Sequence, residues 1–465
     1  VFKVEDLANK MTQQFWDSIR PVPLSTQEAT EYLTKDSLQV LWKSKSYQDS
    51  MDQINNLPKL LDLLRGYSYR NSFEGYSLNL RSPISNLHFN TVQGQIVGWG
   101  LDFTKDANEK RRFEWTVEAE GEYGVDDQQF RGQVSGSIIF NQVNDAFLYI
   151  SGGRIKRQFN PRNPVTFLIN TYYSLVRKLN YMKIYDDTYG RIFYRQRLFN
   201  GFLLQAAVRY GQRDPLINIT DYSWFSRDEE YFTNHPLDQG WGSFTAGQPS
   251  FRSHRYLMAE LAVRLRFGQT YVSYPNQRFY DPSNFPDIWL RYRKGIPALG
   301  GETDFDYIEA TIEKRGLEIG TVGSLSFLVR GGWFVNKAPQ YFMDFAHFDA
   351  NQTFIAQTDR YLTTFQLMPY YEYSTDHLYG IICLEHHFDG FLWNKIPGLK
   401  ILGFEFVAGS RLLWQPDRAP YMEWNIGLDR IGWQLFRFLR VDAVMSYTPE
   451  RGFGIGGVIG LDISL

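Results

Sequence analysis

Four of the seven histidines fall within one stretch: His347, His377, His386 and His387, with Asp349, Asp376 and Glu385 among them. Imidazole and carboxylate together make an ordinary donor set for zinc. The spacing here follows no ligand motif. His386 and His387 are neighbours on what reads as a strand, so they point to opposite faces and cannot both enter one site. Glu385 and His387 do share a face, and Ser374 is expected on the neighbouring strand. Hydrolysis needs a nucleophile and a base held within hydrogen-bond reach, whereas an inward polar pair is what any barrel lumen contains. The expectation is therefore no metal site, no cofactor and no enzyme.

The charged residues with the clearest order lie on alternating segments. From Phe113 to Tyr123 the odd positions are Phe, Trp, Val, Ala, Gly and Tyr, and the even ones are Glu114, Thr116, Glu118, Glu120 and Glu122. Strand side chains alternate between faces, so this segment has one apolar and one acidic face. The polar faces of similar segments carry Arg131, Arg209, Arg264, Arg266, Glu405 and Arg411. Opposite charges facing across a narrow lumen form ion-pair networks, which close a barrel or anchor a plug. An open pore more often carries one dominant field. These charges are the lumen-facing candidates.

Such segments need long strands to carry them. Alternating runs of 11 to 13 residues end at Tyr123, Phe267, Trp414 and Leu465. Strands of soluble sheets are mostly ~5–6 residues, and membrane-crossing strands need ~9–11. Aromatic residues make up 17% of the 465-residue chain, with 30 Tyr and 36 Phe, as lipid faces and interfacial girdles require. A mean hydropathy of −0.38 is compatible with this, because lumen and lipid residues cancel in any average. Charge is balanced, 49 Lys and Arg against 51 Asp and Glu, with no basic face for a nucleic acid. The single cysteine, Cys383, excludes an internal disulfide.

The fold class expected is all-β, a transmembrane antiparallel β-barrel of about sixteen strands, fourteen being the alternative, since single-chain barrels use even counts. One strand is centred near residue 367. Residues 1–86 read as a helical lead-in and connector, periplasmic or plug-like, and 87–465 as the barrel. Ser25 to Glu28 forms a capping box opening a helix to about Trp42, and a second helix is expected over Val4–Ile19. Residues 60–86 read as an irregular or two-stranded connector. Long intervals fall at 153–189, 211–253, 268–285 and 336–359. The chain starts at Val1 without a leader and reads as a mature or truncated piece of something longer.

The last segment holds Gly454, Gly456, Gly457 and Gly460, then Ile463 and Leu465 on one face. Glycine weakens a strand and lets it bend. Two roles remain open for these glycines, a loosely paired seam or close packing against a plug. The terminal apolar pair resembles the signal that hands barrels to their assembly machinery.

Several segments together carry a further resemblance. They are Trp16 with Arg20-Pro-Val-Pro-Leu24, Phe89-Asn-Thr-Val-Gln-Gly94, Asn180-Tyr-Met-Lys183, His347-Phe-Asp-Ala-Asn351, Leu367-Met-Pro-Tyr-Tyr-Glu-Tyr-Ser-Thr375, Glu385-His-His-Phe388 and Leu439-Arg-Val-Asp442. The set resembles a Bacteroidota family of outer-membrane barrels with an upstream carboxypeptidase-regulatory-like domain. More distantly it is similar to the BamA and two-partner-secretion superfamily. That superfamily has a Val-Arg-Gly motif followed by an aromatic residue on a lumen loop. Val329-Arg-Gly-Gly332 lies inside an alternating strand and lacks the aromatic, so it is not counted as that motif. The resemblance implies a Gram-negative outer membrane, lipid and the barrel-assembly machinery as partners, and contacts with other outer-membrane or periplasmic proteins. It also implies a BamA-like role in inserting or exporting outer-membrane or surface proteins. The alternatives are a gated transporter or channel for a small ligand, and a structural subunit of an outer-membrane complex.

Overall fold

The computed structural model describes residues 2–3, 11–107, 113–225, 228–238, 244–274, 277–338, 340–391, 403–433 and 436–461. The lead-in is helical, as its caps dictate. Thr12 caps α1 (Gln13–Ile19) and Ser25 caps α2 (Thr26–Lys43) through a complete box with Glu28. Ser44 ends α2 and caps α3 (Lys45–Asn55), and a single turn, α4 (Asp62–Arg65), follows. The helix expected from Val4 begins only at Gln13; residues 4–10 lie outside the described set. Neither α2 nor α3 buries a side chain, and Leu33 and Val40 are exposed. These helices therefore do not fill the lumen, which corrects the plug reading of the lead-in.

β1 (Phe2–Lys3) lies outside the main sheet, in parallel with β12 (Tyr271–Ser273), which forms a hairpin with β13 (Arg278–Tyr280). The main sheet starts with the hairpin β2 (Gly66–Asn71) and β3 (Tyr76–Arg81). A 3-10 turn separates β3 from β4 (His88–Asn90), and both pair with the same edge of β5 (Gly94–Lys105). Then follow β6 (Glu114–Gly124), β7 (Phe130–Asn141), β8 (Ala146–Gln158), β9 (Ile184–Phe199), β10 (Phe202–Pro215), β11 (His254–Arg266), β14 (Asp287–Gly295), β15 (Phe305–Glu318) and β16 (Ser324–Asn336). The wall ends with β18 (Tyr379–His387), β19 (Glu405–Gln415), β20 (Arg418–Trp433), β21 (Phe436–Thr448) and β22 (Gly452–Leu461), each antiparallel to the next. From β5 onward the wall strands run from 9 residues in β14 to 16 in β20. Among the described residues, no helix is long and apolar enough to cross a membrane.

The alternation becomes two surfaces. Val97, Trp99, Leu101, Val134, Ile150, Leu290, Ile426 and Ile455 are exposed on the outside. Their strand neighbours turn into the interior, where Arg131 and Arg411 are among the most buried side chains. Exposed apolar residues over so wide a wall suit lipid, not water.

Two expectations need correction. The strand centred near 367 is absent from the wall, because β16 pairs directly with β18. Around it, Phe365, Met368, Tyr370, Tyr371 and Tyr373 are all buried, so no face is free to meet lipid. An edge strand is instead supplied by β3 and β4, from a region read partly as connector. Counting turns along the meander puts the connections 158–184, 215–254 and 336–379 at one end, opposite the end where β22 finishes. The interval 268–285 lies at that opposite end. The three long connections turn inward and form the buried aromatic core with Phe159, Met182, Phe305, Phe334, Met343 and Phe365. That core is continuous across the interior, so the sheet is rolled around it as a barrel.

Candidate functional site

The lumen charges do form networks, mainly with near neighbours. Glu118 and Glu120 are drawn together by Arg81 of β3, whose guanidinium lies 3.3 Å and 2.9 Å from them and 2.6 Å from Asp102. Glu122 pairs with Lys156 at 2.7 Å. Glu114 has no basic partner within 4 Å among the described residues. Arg131 is clasped by Asp127 and Asp186, both at 2.6 Å. Arg266 forks onto Asp287, and Glu405 pairs with Arg430. Arg209 and Arg264 have no carboxylate within 4 Å among the described residues; Arg264 stacks over Trp289. The mixed-charge network therefore holds for part of the wall only.

What fills the lumen is the segment 337–378, which carries two of the motifs quoted above, His347–Asn351 and Leu367–Thr375, although its pattern reads as loop and strand. Its fastenings are buried and polar. Arg213 of β10 forks onto Asp344 at 2.8 Å and 3.0 Å. Arg162 reaches Asp349 at 3.0 Å. Arg411 donates to the carbonyls of Tyr361 and Leu362 at 2.6 Å and 3.2 Å. Glu423 accepts from the amides of Gln366 and Leu367 at 2.6 Å and 2.8 Å. Buried charges need such partners to be tolerated, so Arg411 and Glu423 act as clamps on the inserted backbone. Sequence alone showed Arg411 as inward but gave no sign of its partner.

The residues singled out for chemistry are dispersed by this segment. Ser374 is not on a wall strand; its hydroxyl lies 2.7 Å from His347 Nδ1. His347 Nε2 faces the Phe342 carbonyl at 2.9 Å. A carbonyl only accepts, so Nε2 carries the proton and Nδ1 accepts from Ser374. His386 and His387 face opposite sides of β18, as expected. His387 lies 3.0 Å from Glu385, and His387, Glu405 and Asp429 bring ligand atoms within 4.8 Å of one another. Glu385 and Arg430 already occupy His387 and Glu405 as charge partners. Lys183, in the loop ahead of β9, is buried against the Thr233 carbonyl at 2.6 Å, and burial pulls its ammonium down to about 7.

Burial lowers the His347 imidazole from 6.5 to about 3. A folded-state value below the unfolded one favours the neutral ring. The stabilisation is then complete above pH 6.5 and is lost as pH falls towards 3. Lowering pH from 7 to 5 should raise the open population of 337–378 by up to about tenfold per pH unit below 6.5. Hydrogen exchange of this segment measures it. His347→Gln keeps a donor and an acceptor but does not titrate. An equal pH slope in that variant would exclude His347 as the cause.

No ladder joins the two ends of the wall among the described residues. β22 pairs with β21 on one side, and on the other only Ile459–Leu461 are engaged, by the parallel strand β17 (Ile355–Gln357) of the inserted segment. α5 (Phe167–Arg177), from the 158–184 connection, packs on β4 at the opposite edge, where Thr171 Oγ1 accepts from the Phe89 amide at 2.9 Å. Tyr172 and Tyr173 of α5 contact Phe354, the residue before β17. β17 and α5 thus bridge the seam from inside. Gly454, Gly456 and Gly460 sit on the lumen side of β22; a Cβ on Gly456 would meet the Leu367 side chain at 2.5 Å. Close packing against the inserted segment therefore explains Gly456. Ile463 and Leu465 lie outside the described residues.

A rolled antiparallel sheet with an apolar outside and a polar, loop-filled inside is the architecture of outer-membrane β-barrel proteins. The chain belongs to the family of unknown function DUF5686: the model of that family's C-terminal domain matches residues 61–428. No curated protein matches it in sequence. Among solved structures it is similar to BamA from Haemophilus ducreyi lacking POTRA domains 1–3, at 8% identity and TM-score 0.41, covering 83% of this chain and 70% of that one. It is also similar to CdiB from Acinetobacter baumannii, at 10% identity and TM-score 0.36, covering 80% and 57%. A porin mutant from Rhodopseudomonas blastica gives 7% identity and TM-score 0.32, covering 78% and 89%.

Proposed function

We propose that this chain is a BamA-like barrel of the Gram-negative outer membrane that assists insertion or export of outer-membrane or surface proteins, without catalysis of its own. The observation that carries the reading is the seam. From Gly452 to Val458 the outer edge of β22 has no strand partner among the described residues. An unpaired edge is a template for another strand. In lipid an unsatisfied backbone group costs several kcal/mol, so the edge favours a strand that covers it. The client is then an incoming β-strand, and the bridge of β17 and α5 holds the place meanwhile. The first test is quantitative outer-membrane proteomics after depletion. Many unrelated barrels or surface proteins should fall together. One uptake defect, or the loss of one neighbouring protein, would replace this reading with the transporter or structural-subunit reading. The transporter reading draws its own support from an unfilled, charged cavity in the lumen.

A further inference from the structure

That cavity, of about 640 Å³, lies between β9–β11 and β14–β16 and the underside of the inserted loops. Met343 to His347 and Pro161 to Asn163 roof it, and its wall extends to Trp289 and Glu313, towards the end where β22 finishes. Eight arginines line it against four carboxylates, Glu260, Glu309, Glu313 and Asp344. Several arginines are spoken for. Arg213 holds Asp344, Arg157 holds Asp187 at 2.5 Å, and Arg291 holds Glu309 at 3.2 Å.

Arg191 and Arg209 are different. They are direct cross-strand partners on β9 and β10, both line the cavity, and neither has a carboxylate within 4 Å among the described residues. Like charges directly opposite each other destabilise a sheet. Around them the Nε groups of Arg213 and Arg293 are buried with no hydrogen-bond partner, whereas Arg291 Nε has Glu260 at 3.4 Å. Buried donors left without acceptors are uncommon and costly. Unmatched positive charge and unmatched donors thus converge on one cavity, and one kind of ligand answers both. A multivalent oxyanion brings negative charge and only acceptors. Guanidinium forks match phosphoryl oxygens in pairs. The excess of cations exceeds what a single carboxylate could balance.

We propose that this cavity is a binding site for a phosphoryl-bearing ligand, seated between Arg191 and Arg209 and entering from the end where β22 finishes. The ligand is a soluble phosphorylated compound or the headgroup of an anionic lipid. The site does not depend on the seam reading, since none of its residues lies on β22, β17 or α5.

The test uses the full chain in neutral detergent at low ionic strength, titrated with inorganic pyrophosphate in a calorimeter. Saturable one-to-one binding is expected, weakened about tenfold or more in Arg191→Gln/Arg209→Gln, in line with the loss of two charge-assisted contacts. Arg191→Lys/Arg209→Lys keeps the charge and loses the forks, and should fall between. Lys35→Gln, on exposed α2, should bind as the parent does. Removing facing like charges relieves repulsion, so the Gln pair should fold, as heat-modifiable gel mobility will show. The Lys pair tests the site independently if it does not. Repeating the titration in nanodiscs separates the sources: weaker pyrophosphate binding with phosphatidylglycerol than with phosphatidylcholine identifies the headgroup, and equal binding a soluble ligand. No binding, or binding unaltered in both arginine pairs, overturns the proposal.

Discussion

Asp344→Ala should release the inserted segment and open the lumen. Arg213 and Asp344 are both almost fully buried and joined by two hydrogen bonds. Burial by itself raises the Asp344 carboxyl, but Arg213 outweighs it and holds the group below its ordinary value. Removing one member of a buried pair leaves the other charge uncompensated, at about 3–5 kcal/mol. The loss falls on loop 337–378, not on the wall, whose ladders β9–β10 and β10–β11 stay intact. The expected result is a folded barrel with a protease-sensitive segment and raised conductance in planar bilayers. Arg213→Met combined with Asp344→Ala removes both charges and should recover most of the protection. If the single variant is as closed and as resistant as the parent, this pair is not the fastening.

The wall was readable because the membrane imposes a two-residue period on every spanning strand. Phe113 to Tyr123 and Leu257 to Phe267 follow it without a break, and both became long strands. The same rule misled at 367. Leu367, Tyr371 and Tyr373 also fall on alternate positions, yet they sit inside the barrel, where both faces are buried and period carries no information about a wall. Pro369 and the positive φ of Tyr371 (65°) break the extended backbone there. β2 to β4 were obscured for the opposite reason, being only 3 to 6 residues long.

The site was less readable than the wall. Inward arginines and glutamates could be named, but their partners are set by register and loop insertion. Glu120 meets Arg81 across 39 residues, and Arg213 meets Asp344 across 131. No local pattern encodes either separation. The lone pair Arg191 and Arg209 shows the limit most clearly. Its character comes from the absence of a carboxylate within 4 Å of either guanidinium among the described residues, which only the assembled lumen reveals. The glycines of β22 were legible as a special feature, and Gly456 against Leu367 decides one of their two roles.

A covalent lock at the seam should abolish function while leaving the barrel folded. Ile355 and Ile459 are register partners in the parallel pairing of β17 with β22. Neighbouring strands lie ~4.8 Å apart, within the Cα separations a disulfide accepts. Ile459 is on the exposed face, so an oxidant reaches the pair, whereas the native thiol of Cys383 is fully buried and can remain. If an incoming strand must displace β17 to use the edge of β22, Ile355→Cys/Ile459→Cys under oxidation should reproduce the depletion phenotype completely. Reductant should restore the parent behaviour, and each single cysteine should be silent. The bridge spans three register pairs on a strand whose next seven residues are unpartnered on that edge, so displacement requires few bonds to break, and the lock would block only that step. Full function of the oxidised double variant, with the crosslink verified by mass spectrometry, would show that β22 is never opened at this point and would remove the seam from the mechanism.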